Sequence, residues 1–280
     1  MMSKLKRLLI NELKGKIPEN LLSLIPSRYP IIGDCVLIRL NEKLIPYGRL
    51  IGNLILKFLR VQSVWAIKTT SRIIREPSVI HLAGKKDPIV VHKELNTLFK
   101  IDISRLTFSP GNREERKKLV SIIKPGDIVV DMFACAGNLS LPTAVNCSPR
   151  IIYAIEINPY AFRFLLENIK MNRVVDRVIP LLMNNVYFNE KNIADHVLLG
   201  YLPEPSIQQL GVAVEVAKDR GMIHYHTLAR RGSEHEKVGK LLNVLSSFDN
   251  ITVGSYKWER VKSFSPAYNH IVIRVEIMKD

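Results

Sequence analysis

The sequence predicts an α/β fold, in which a mostly parallel sheet carries helices on its faces, with a smaller α+β domain before it. Two apolar, strand-like runs, 128–131 and 151–156, are each followed by a helical pattern. Later strand patterns cover 177–183, 195–201 and 221–226, a helical pattern covers 206–219, and two strand patterns, 251–257 and 270–278, end the chain. Alternating strands and helices are typical of a parallel sheet, and the final pair predicts a hairpin.

The stretch from Asp127 to Pro142 organises the rest of the chain. Ile128 to Val130 form the apolar run of a strand covered on both faces, and Asp131 ends it. Gly137 is the position where the backbone can turn at positive φ and approach a ligand, while Asn138 can cap the helix that follows. The pattern predicts a strand, a tight glycine turn and a helix, as in a nucleotide-cofactor loop.

A carboxylate ends the next predicted strand. Glu156 follows Gly137 by nineteen positions and would lie at the strand tip, where it can accept both ribose hydroxyls of an adenosine. A dinucleotide site uses three glycines to admit a pyrophosphate, whereas Gly137 stands alone in this turn. The turn therefore favours S-adenosylmethionine, whose amino-acid end needs hydrogen bonds and no phosphate nest. Loop and acid alone leave open an α/β domain without a cofactor.

The chain before this stretch has a different pattern. Residues 1–25 mix basic and leucine positions at helical spacing, which predicts an N-terminal basic helix. Residues 26–105 alternate short apolar runs with Gly and Pro breaks, which predicts a small α+β domain, and residues 106–280 form the predicted cofactor-binding domain. Two basic stretches of the small domain, Ser71–Pro77 and Val91–Glu94, are explained by a solvated face.

Local signals predict three helices of the larger domain. One starts near Asn112, and Asn158-Pro159 opens another that runs to about Met171. The segment from Ser233 to Glu236 matches a capping box for the last helix. The predicted buried stripe of the second helix consists of Phe162, Leu165, Leu166 and Ile169.

Composition limits the class of protein. A hydrophobic share of 47% without a run of membrane-spanning length predicts a globular, cytoplasmic protein with no membrane segment, and we expect a monomer. Three scattered cysteines without Cys-x-x-Cys spacing argue against a disulfide framework and a metal site. The net charge of +15 indicates a nucleic-acid partner, although a generally basic surface would give the same excess.

Several segments carry a family resemblance: Ile32–Asp34, Phe108–Asn112, Glu115–Arg116, Asp131–Ala134, Glu156–Pro159, Glu167–Lys170, Asn172–Val174 and Asp195–Val197. Through them, most of the chain resembles a family of tRNA-modifying enzymes, the guanine N1-methyltransferases that act beside the anticodon and their relatives that build wybutosine. The resemblance implies a class I methyltransferase (Rossmann-like) domain, S-adenosyl-L-methionine as co-substrate, and the anticodon region of tRNA as partner.

Two further segments distinguish branches of that family. The N1-methyltransferases look like Asn-Leu-Pro after the fourth strand, whereas this chain has Leu199-Gly-Tyr-Leu-Pro203 and later Ile223-His-Tyr-His226. Both are similar to the aminocarboxypropyltransferase branch. That similarity implies transfer of the 3-amino-3-carboxypropyl group to 4-demethylwyosine at position 37 of tRNA(Phe), with release of methylthioadenosine, in the biosynthesis of wybutosine derivatives.

The resemblance also implies the cofactor contacts. Carried over onto matching positions, they fall on Ser109, Arg116, Glu156, Asn184 and Asn185. Arg116 can pair with the methionyl carboxylate, Glu156 can accept from the ribose, and the two asparagines end the third strand, where the adenine amine would lie.

The chain departs from the family at two positions. Asn184 stands where the family looks to have Asp, so an uncharged amide would have to accept the adenine hydrogen bond. Cys135 replaces a glycine that gave the turn its freedom. Both departures point to weaker cofactor binding.

The catalytic proton acceptor stays unassigned. Methylation at guanine N1 needs an amide or acid after the fourth strand, and Gly200-Tyr201 offers neither. In aminocarboxypropyl transfer a ring carbon attacks and then loses its proton, for which His224, His226 and Tyr201 are candidates. Two alternatives stay open: a methyltransferase acting on the same nucleotide, at guanine N1 or on a wyosine precursor, and a non-catalytic RNA-binding protein with a decayed pocket.

Overall fold

The computed structural model describes residues 3–70 and 77–279, so most of the basic stretch Ser71–Pro77 lies outside the described residues. Contacts divide the chain into two compact units. The first consists of Met1–Lys93 and Phe99–Pro110, and the second of Glu94–Leu98 and Gly111–Asp280. The domain boundaries expected at residues 25 and 105 stay a prediction.

The first unit combines helices with a small mixed sheet. Its elements are α1 (Lys4–Leu13), α2 (Glu19–Leu22), β1 (Ile31–Ile32), β2 (Cys35–Arg39), α3 (Gly48–Phe58), β3 (Ser63–Thr70) and β4 (Pro77–Gly84). The strand order is β1-β2-β3-β4, and α3 connects the parallel strands β2 and β3. Two further strands, β5 (Ile89–Glu94) and β6 (Thr97–Asp102), pair with each other.

The N-terminal helix packs by its apolar face. Leu9 and Leu13 of α1 are fully buried in the same hydrophobic core as Ile51 and Ile55 of α3. The chain then turns at Gly15, whose φ is 73°. Burial of the leucine side leaves the basic side chains of α1 on its outer side, as expected for an amphipathic helix.

The second unit contains a seven-stranded sheet with helices between its strands. Its elements are α4 (Arg113–Ile122), β7 (Ile128–Asp131), α5 (Ser140–Cys147), β8 (Ile151–Glu156), α6 (Pro159–Met171), β9 (Val178–Leu182), β10 (Ala194–Leu199), α7 (Ile207–Val216), β11 (Ala217–Arg230), α8 (Glu234–Leu245), β12 (Ile251–Ser263) and β13 (Tyr268–Lys279). The strand order is β12-β13-β11-β10-β7-β8-β9. Strands β7 to β11 are parallel, and β13 is antiparallel to both of its neighbours. The predicted α/β fold with a final hairpin is confirmed.

Two of the predicted helix starts are wrong in their capping. Helix α5 begins at Ser140, and the backbone N–H of Asn138 instead donates to the Ala134 carbonyl at 3.1 Å, inside the preceding turn. Ser233 precedes α8 but its side chain makes no capping hydrogen bond. A complete capping box occurs at α7, between Ser206 and Gln209.

The buried stripe of α6 is also shifted from the predicted one. Leu165 and Ile169 are buried as expected, but Phe164 takes the place assigned to Phe162, and Leu166 is exposed. Within the part of the chain that the structure describes, no helix is long and apolar enough to cross a membrane.

Candidate cofactor site

The candidate site lies at one edge of the large sheet. Parallel strands β7, β8, β9 and β10 all end there, because the carboxyl ends of parallel strands share an edge. The turn from Met132 to Leu139 connects β7 to α5 at this edge. Its backbone is tied to the neighbouring strands, since Met132 N–H donates to Leu198 O at 3.0 Å and Ala134 N–H to Ile155 O at 2.9 Å.

Gly137 makes the tight part of this turn. Its φ is 93°, as the sequence predicted, and its N–H donates to the Ala134 carbonyl at 2.8 Å. A Cβ at this position would lie 2.3 Å from Cδ1 of Leu141. Both the backbone conformation and the close approach of α5 therefore require glycine here.

Cys135 also adopts a left-handed backbone, with φ of 51°. This conformation costs a non-glycine residue about 1 kcal/mol or more. Its N–H donates to Oε2 of Glu156 at 2.7 Å, a charge-assisted hydrogen bond that offsets the strain. Cys135 is thus held in a left-handed conformation by the acid of the next strand.

Glu156 lies at the tip of β8 and anchors two backbone segments. Oε2 accepts from Cys135 as described, and Oε1 accepts from the N–H of Asn158 at 2.7 Å, at the start of α6. Burial raises the pKa of Glu156, and the backbone hydrogen bonds partly oppose that rise. The carboxylate has four lone pairs, so the backbone N–H groups of Cys135, Asn158 and Ile157 leave acceptor capacity for a ribose hydroxyl. The donor and acceptor set fits the ribose of an adenosine.

The two candidate asparagines follow β9 directly and differ in role. Asn185 is buried, and its Nδ2 donates to the Met132 carbonyl at 2.6 Å while its Oδ1 accepts from Gln209 at 3.0 Å. Oδ1 of Asn184 accepts from the N–H of Val186 at 3.2 Å and caps a short 3-10 turn. The side chain of Asn185 therefore braces the turn after β7.

The remaining two candidates are Arg116 and Ser109. Arg116, on α4, is 1% exposed, and its Nε donates to Oε1 of Glu94 at 2.5 Å. Ser109 belongs to the first unit, near its end. The structure thus gathers Glu156 and Asn185 on the turn after β7, and it fixes the guanidinium of Arg116 against a buried acid.

Three side chains at this edge were not proposed as site residues from the sequence. Asp131 is fully buried, and burial raises its pKa to about 6, while Oδ1 accepts from Phe133 N–H at 3.1 Å. The ring of Phe133 stacks on Tyr201, with centroids 5.1 Å apart and an interplanar angle of 24°. Ile157 is 59% exposed directly after Glu156. The sequence signal for Ile157 was an apolar residue directly after the acid that ends a strand.

The histidine candidates are buried in pairs. Nε2 of His224 lies 3.0 Å from Nδ1 of His196, and Nδ1 of His226 lies 2.9 Å from Nε2 of His270. Burial lowers the pKa of His224 and of His226 well below the usual value. Pairing inside the sheet favours a structural role for both.

No metal centre is found in the described part of the chain, where no three His, Cys, Asp or Glu side chains are placed to share an ion. The site consists of backbone N–H groups, amides, carboxylates and aromatic rings.

Comparison with known proteins identifies the family. Residues 90–252 match the TRM5/TYW2 methyltransferase domain, and residues 9–87 match the TYW2 N-terminal domain. A tRNA(Phe) (4-demethylwyosine(37)-C(7)) aminocarboxypropyltransferase from Pyrococcus horikoshii is 34% identical over 268 residues, which cover 95% of each chain. This chain belongs to the TRM5/TYW2 family.

Solved structures of TRM5/TYW2 family members share the fold of this chain. P. horikoshii TYW2 in complex with MeSAdo superposes with a TM-score of 0.81 at 33% identity, covering 98% of this chain and 100% of that one. A complex of aTrm5 and tRNALeu gives a TM-score of 0.83 at 27% identity, covering 97% and 78%. The predicted family and its class I methyltransferase (Rossmann-like) fold are confirmed.

Proposed function

We propose that this TRM5/TYW2 family member transfers the 3-amino-3-carboxypropyl group of S-adenosyl-L-methionine to C7 of 4-demethylwyosine at position 37 of tRNA(Phe). The observation that carries the proposal is the 34% identity, over 95% of both chains, to a protein with that name. The site geometry supports it, because Glu156 presents acceptors for a ribose beside a glycine turn.

The adenosine part of the co-substrate would be held at the ends of β8 and β9. Glu156 would accept from the ribose hydroxyls, and the exposed Ile157 would give the adenine ring an apolar contact. The side chain of Asn185 already bonds to Met132 and Gln209. We therefore assign the backbone N–H of Asn185 to a ring nitrogen of the adenine, and the Asn184 amide to the adenine amine.

The methionine part would be held by Arg116, while the role that the resemblance implies for Ser109 stays a prediction. The bond between Nε of Arg116 and Glu94 fixes the plane of the guanidinium, which is the property a carboxylate clamp needs. In this reaction the carboxylate belongs to the transferred group. Its orientation would therefore decide which carbon of the sulfonium faces the base.

The reaction needs one bond exchange and one proton loss. C7 of the base attacks the γ carbon of the methionyl group, the bond from that carbon to sulfur breaks, and sulfur keeps the electron pair. Methylthioadenosine leaves as a neutral thioether, and C7 then loses its proton to an acceptor that stays unassigned. The stacked rings of Phe133 and Tyr201 offer a flat surface for a tricyclic base at the same edge.

The RNA partner is supported by charge. A net charge of +15 suits a polyanion, and we propose the anticodon region of tRNA(Phe) as the bound part. A cytoplasmic location and a monomeric state are further proposals, which cell fractionation and light scattering would test.

Two labelled cofactors test the function. Hypomodified tRNA(Phe) carrying 4-demethylwyosine would be incubated with the protein and with S-adenosylmethionine labelled in the carboxyl carbon or in the methyl carbon. We expect carboxyl label in the tRNA and no methyl label. Methyl label alone would establish the methyltransferase alternative, and tRNA binding without transfer of either label would establish the non-catalytic one.

A further inference from the structure

The end of the final hairpin lies at the same sheet edge as the candidate site. Strand β11 is parallel to β10 and ends at Arg230, so its last residues reach the edge where β7 to β10 end. Strand β13 is antiparallel to β11 and begins there, at Tyr268. Strand β12 runs back to this edge and ends at Ser263.

Three side chains form a row across these strands, which we call the hairpin row: Phe264, Tyr268 and Arg230. Arg230 and Tyr268 are direct partners in the β11–β13 ladder. The Phe264 N–H donates to the Tyr268 carbonyl at 3.0 Å and continues the β12–β13 register. Side chains of directly opposed residues point to the same face, so the register places two aromatic side chains and a guanidinium on one face of the sheet.

The hairpin row is exposed. Phe264 is 46% exposed and Tyr268 is 44% exposed, so both aromatic side chains are open to solvent at the end of the hairpin. Arg230 is exposed as well, and none of the ion pairs among the described residues includes it. The row therefore presents apolar flat surfaces beside an unneutralised cation.

The neighbouring turn is held in place. The backbone N–H of Arg231 donates to Ala267 O at 3.0 Å, and its Nη2 donates to Ser263 Oγ at 2.8 Å and to Ser265 O at 3.2 Å. Arg231 thus ties the end of β11 to the β12–β13 turn. The rings are presented on a fixed support, which lowers the entropic cost of binding.

We propose that the hairpin row binds unpaired nucleotides of the tRNA, with bases stacked on Phe264 and Tyr268 and a phosphate on Arg230. This inference rests on the proposed function, since it names a contact for the same RNA. Aromatic rings beside cations are what single-stranded RNA recognises, because every base has a flat face and every nucleotide a phosphate.

A second copy of the chain is a poorer occupant. Strand β12 is the edge strand, but register shifts at Val253/Tyr256 and at Arg260/Lys262 interrupt its ladder. Bulges and cations along an edge oppose strand pairing with another chain. The hairpin row lies on the face of the sheet, where stacking needs no strand pairing.

Binding of a fluorescent anticodon stem-loop of tRNA(Phe) tests the hairpin row, with a duplex of the same stem lacking the loop as the comparison RNA. For Phe264→Ala/Tyr268→Ala we expect loop binding to weaken about 10-fold or more, since each stacked base contributes at least about 5-fold. Tyr268→Phe should bind as the parent does, because the ring remains. Tyr256→Ala is the matched control, a 54% exposed tyrosine of β12 outside the row, and it should change binding less than twofold.

The salt dependence separates the two kinds of contact. Arg230→Ala should lower the slope of log K against log salt by about 0.7, which corresponds to one phosphate of a single strand, whereas the aromatic variants should leave the slope unchanged. Parent-like loop binding by the double alanine variant, or equal loss with loop and duplex, would overturn the inference while the proposed function stands. Failure of the parent to bind either RNA would refute the proposed function first.

Discussion

Replacing Glu156 by glutamine should damage both the turn and the cofactor site. The carboxylate accepts from Cys135 and Asn158 at 2.7 Å each, whereas glutamine keeps a single acceptor oxygen. One backbone N–H then loses its partner, which costs about 1–3 kcal/mol in stability. At about 2–4 °C for each kcal/mol, the melting temperature without cofactor should fall by several degrees.

The same change removes one acceptor for the ribose. A hydrogen bond to a charged group contributes about 1.5–3 kcal/mol, so the cofactor Kd should rise about 10- to 150-fold. Glu156→Ala should be worse in both measurements, because both oxygens are lost. Glu236→Gln on α8 is the control, since that exposed carboxylate pairs with Lys240 across one helical turn, far along the chain from the turn after β7.

Calorimetric titration and thermal unfolding of each variant decide the matter. Cofactor affinity of Glu156→Gln within threefold of the parent, at an unchanged melting temperature, would mean that the carboxylate neither holds the ribose nor anchors the turn.

Three further predictions follow from the same structure. Gly137→Ala should cost more stability than Gly126→Ala, measured by chemical denaturation, because both have positive φ but a Cβ at 137 meets a leucine of α5 at 2.3 Å and one at 126 meets nothing within 4 Å; equal losses would contradict the close contact. Stability should fall from pH 7.5 to pH 6.5, because unfolding restores an ordinary pKa to His224 and His226, whose folded pKa lies well below 6.5, and the unfolded chain then binds more protons. The unfolding free energy should change by at most about 1.4 kcal/mol per pH unit for each histidine. Asp131 has the opposite effect as the pH approaches its raised pKa of about 6. A stability that does not change between pH 7.5 and pH 6.5 would refute the buried histidine pairs. Affinity for tRNA should fall steeply with salt, as counterion release requires, and a flat dependence would remove phosphate contacts from the account.

Much of the fold, and the centre of the candidate site, could be predicted from local patterns in the sequence. The apolar run before Asp131, the lone Gly137 and the acid Glu156 are strong signals, because strand, turn and acid each depend on a few consecutive residues. The structure confirms the turn at Gly137 and places Glu156 beside it.

The predictions that failed concern helix caps, which depend on the local backbone conformation as well as on the residue type. Asn138 has the residue type of a helix cap, but its N–H donates to the Ala134 carbonyl within the preceding turn. Helix α5 therefore begins later, at Ser140. The capping motif at Ser233 is interchangeable in sequence with the one at Ser206, and only the backbone conformation distinguishes them.

Other features of the site join residues far apart in the chain. Arg116 meets Glu94, 22 positions earlier, and the side chain of Asn185 meets Met132, 53 positions earlier. No local pattern reports such contacts. The hairpin row likewise joins Arg230 of β11 to residues of the β12–β13 turn, which lie much later in the chain.

The leaving group of the reaction distinguishes aminocarboxypropyl transfer from methyl transfer. We would incubate the protein with unlabelled S-adenosylmethionine and hypomodified tRNA(Phe). The nucleoside products would then be separated, identified and quantified by mass spectrometry. Cleavage of the bond between sulfur and the γ carbon predicts methylthioadenosine in an amount equal to the modified tRNA. S-adenosylhomocysteine in that amount, with no methylthioadenosine, would show that a methyl group had been transferred and would contradict the account.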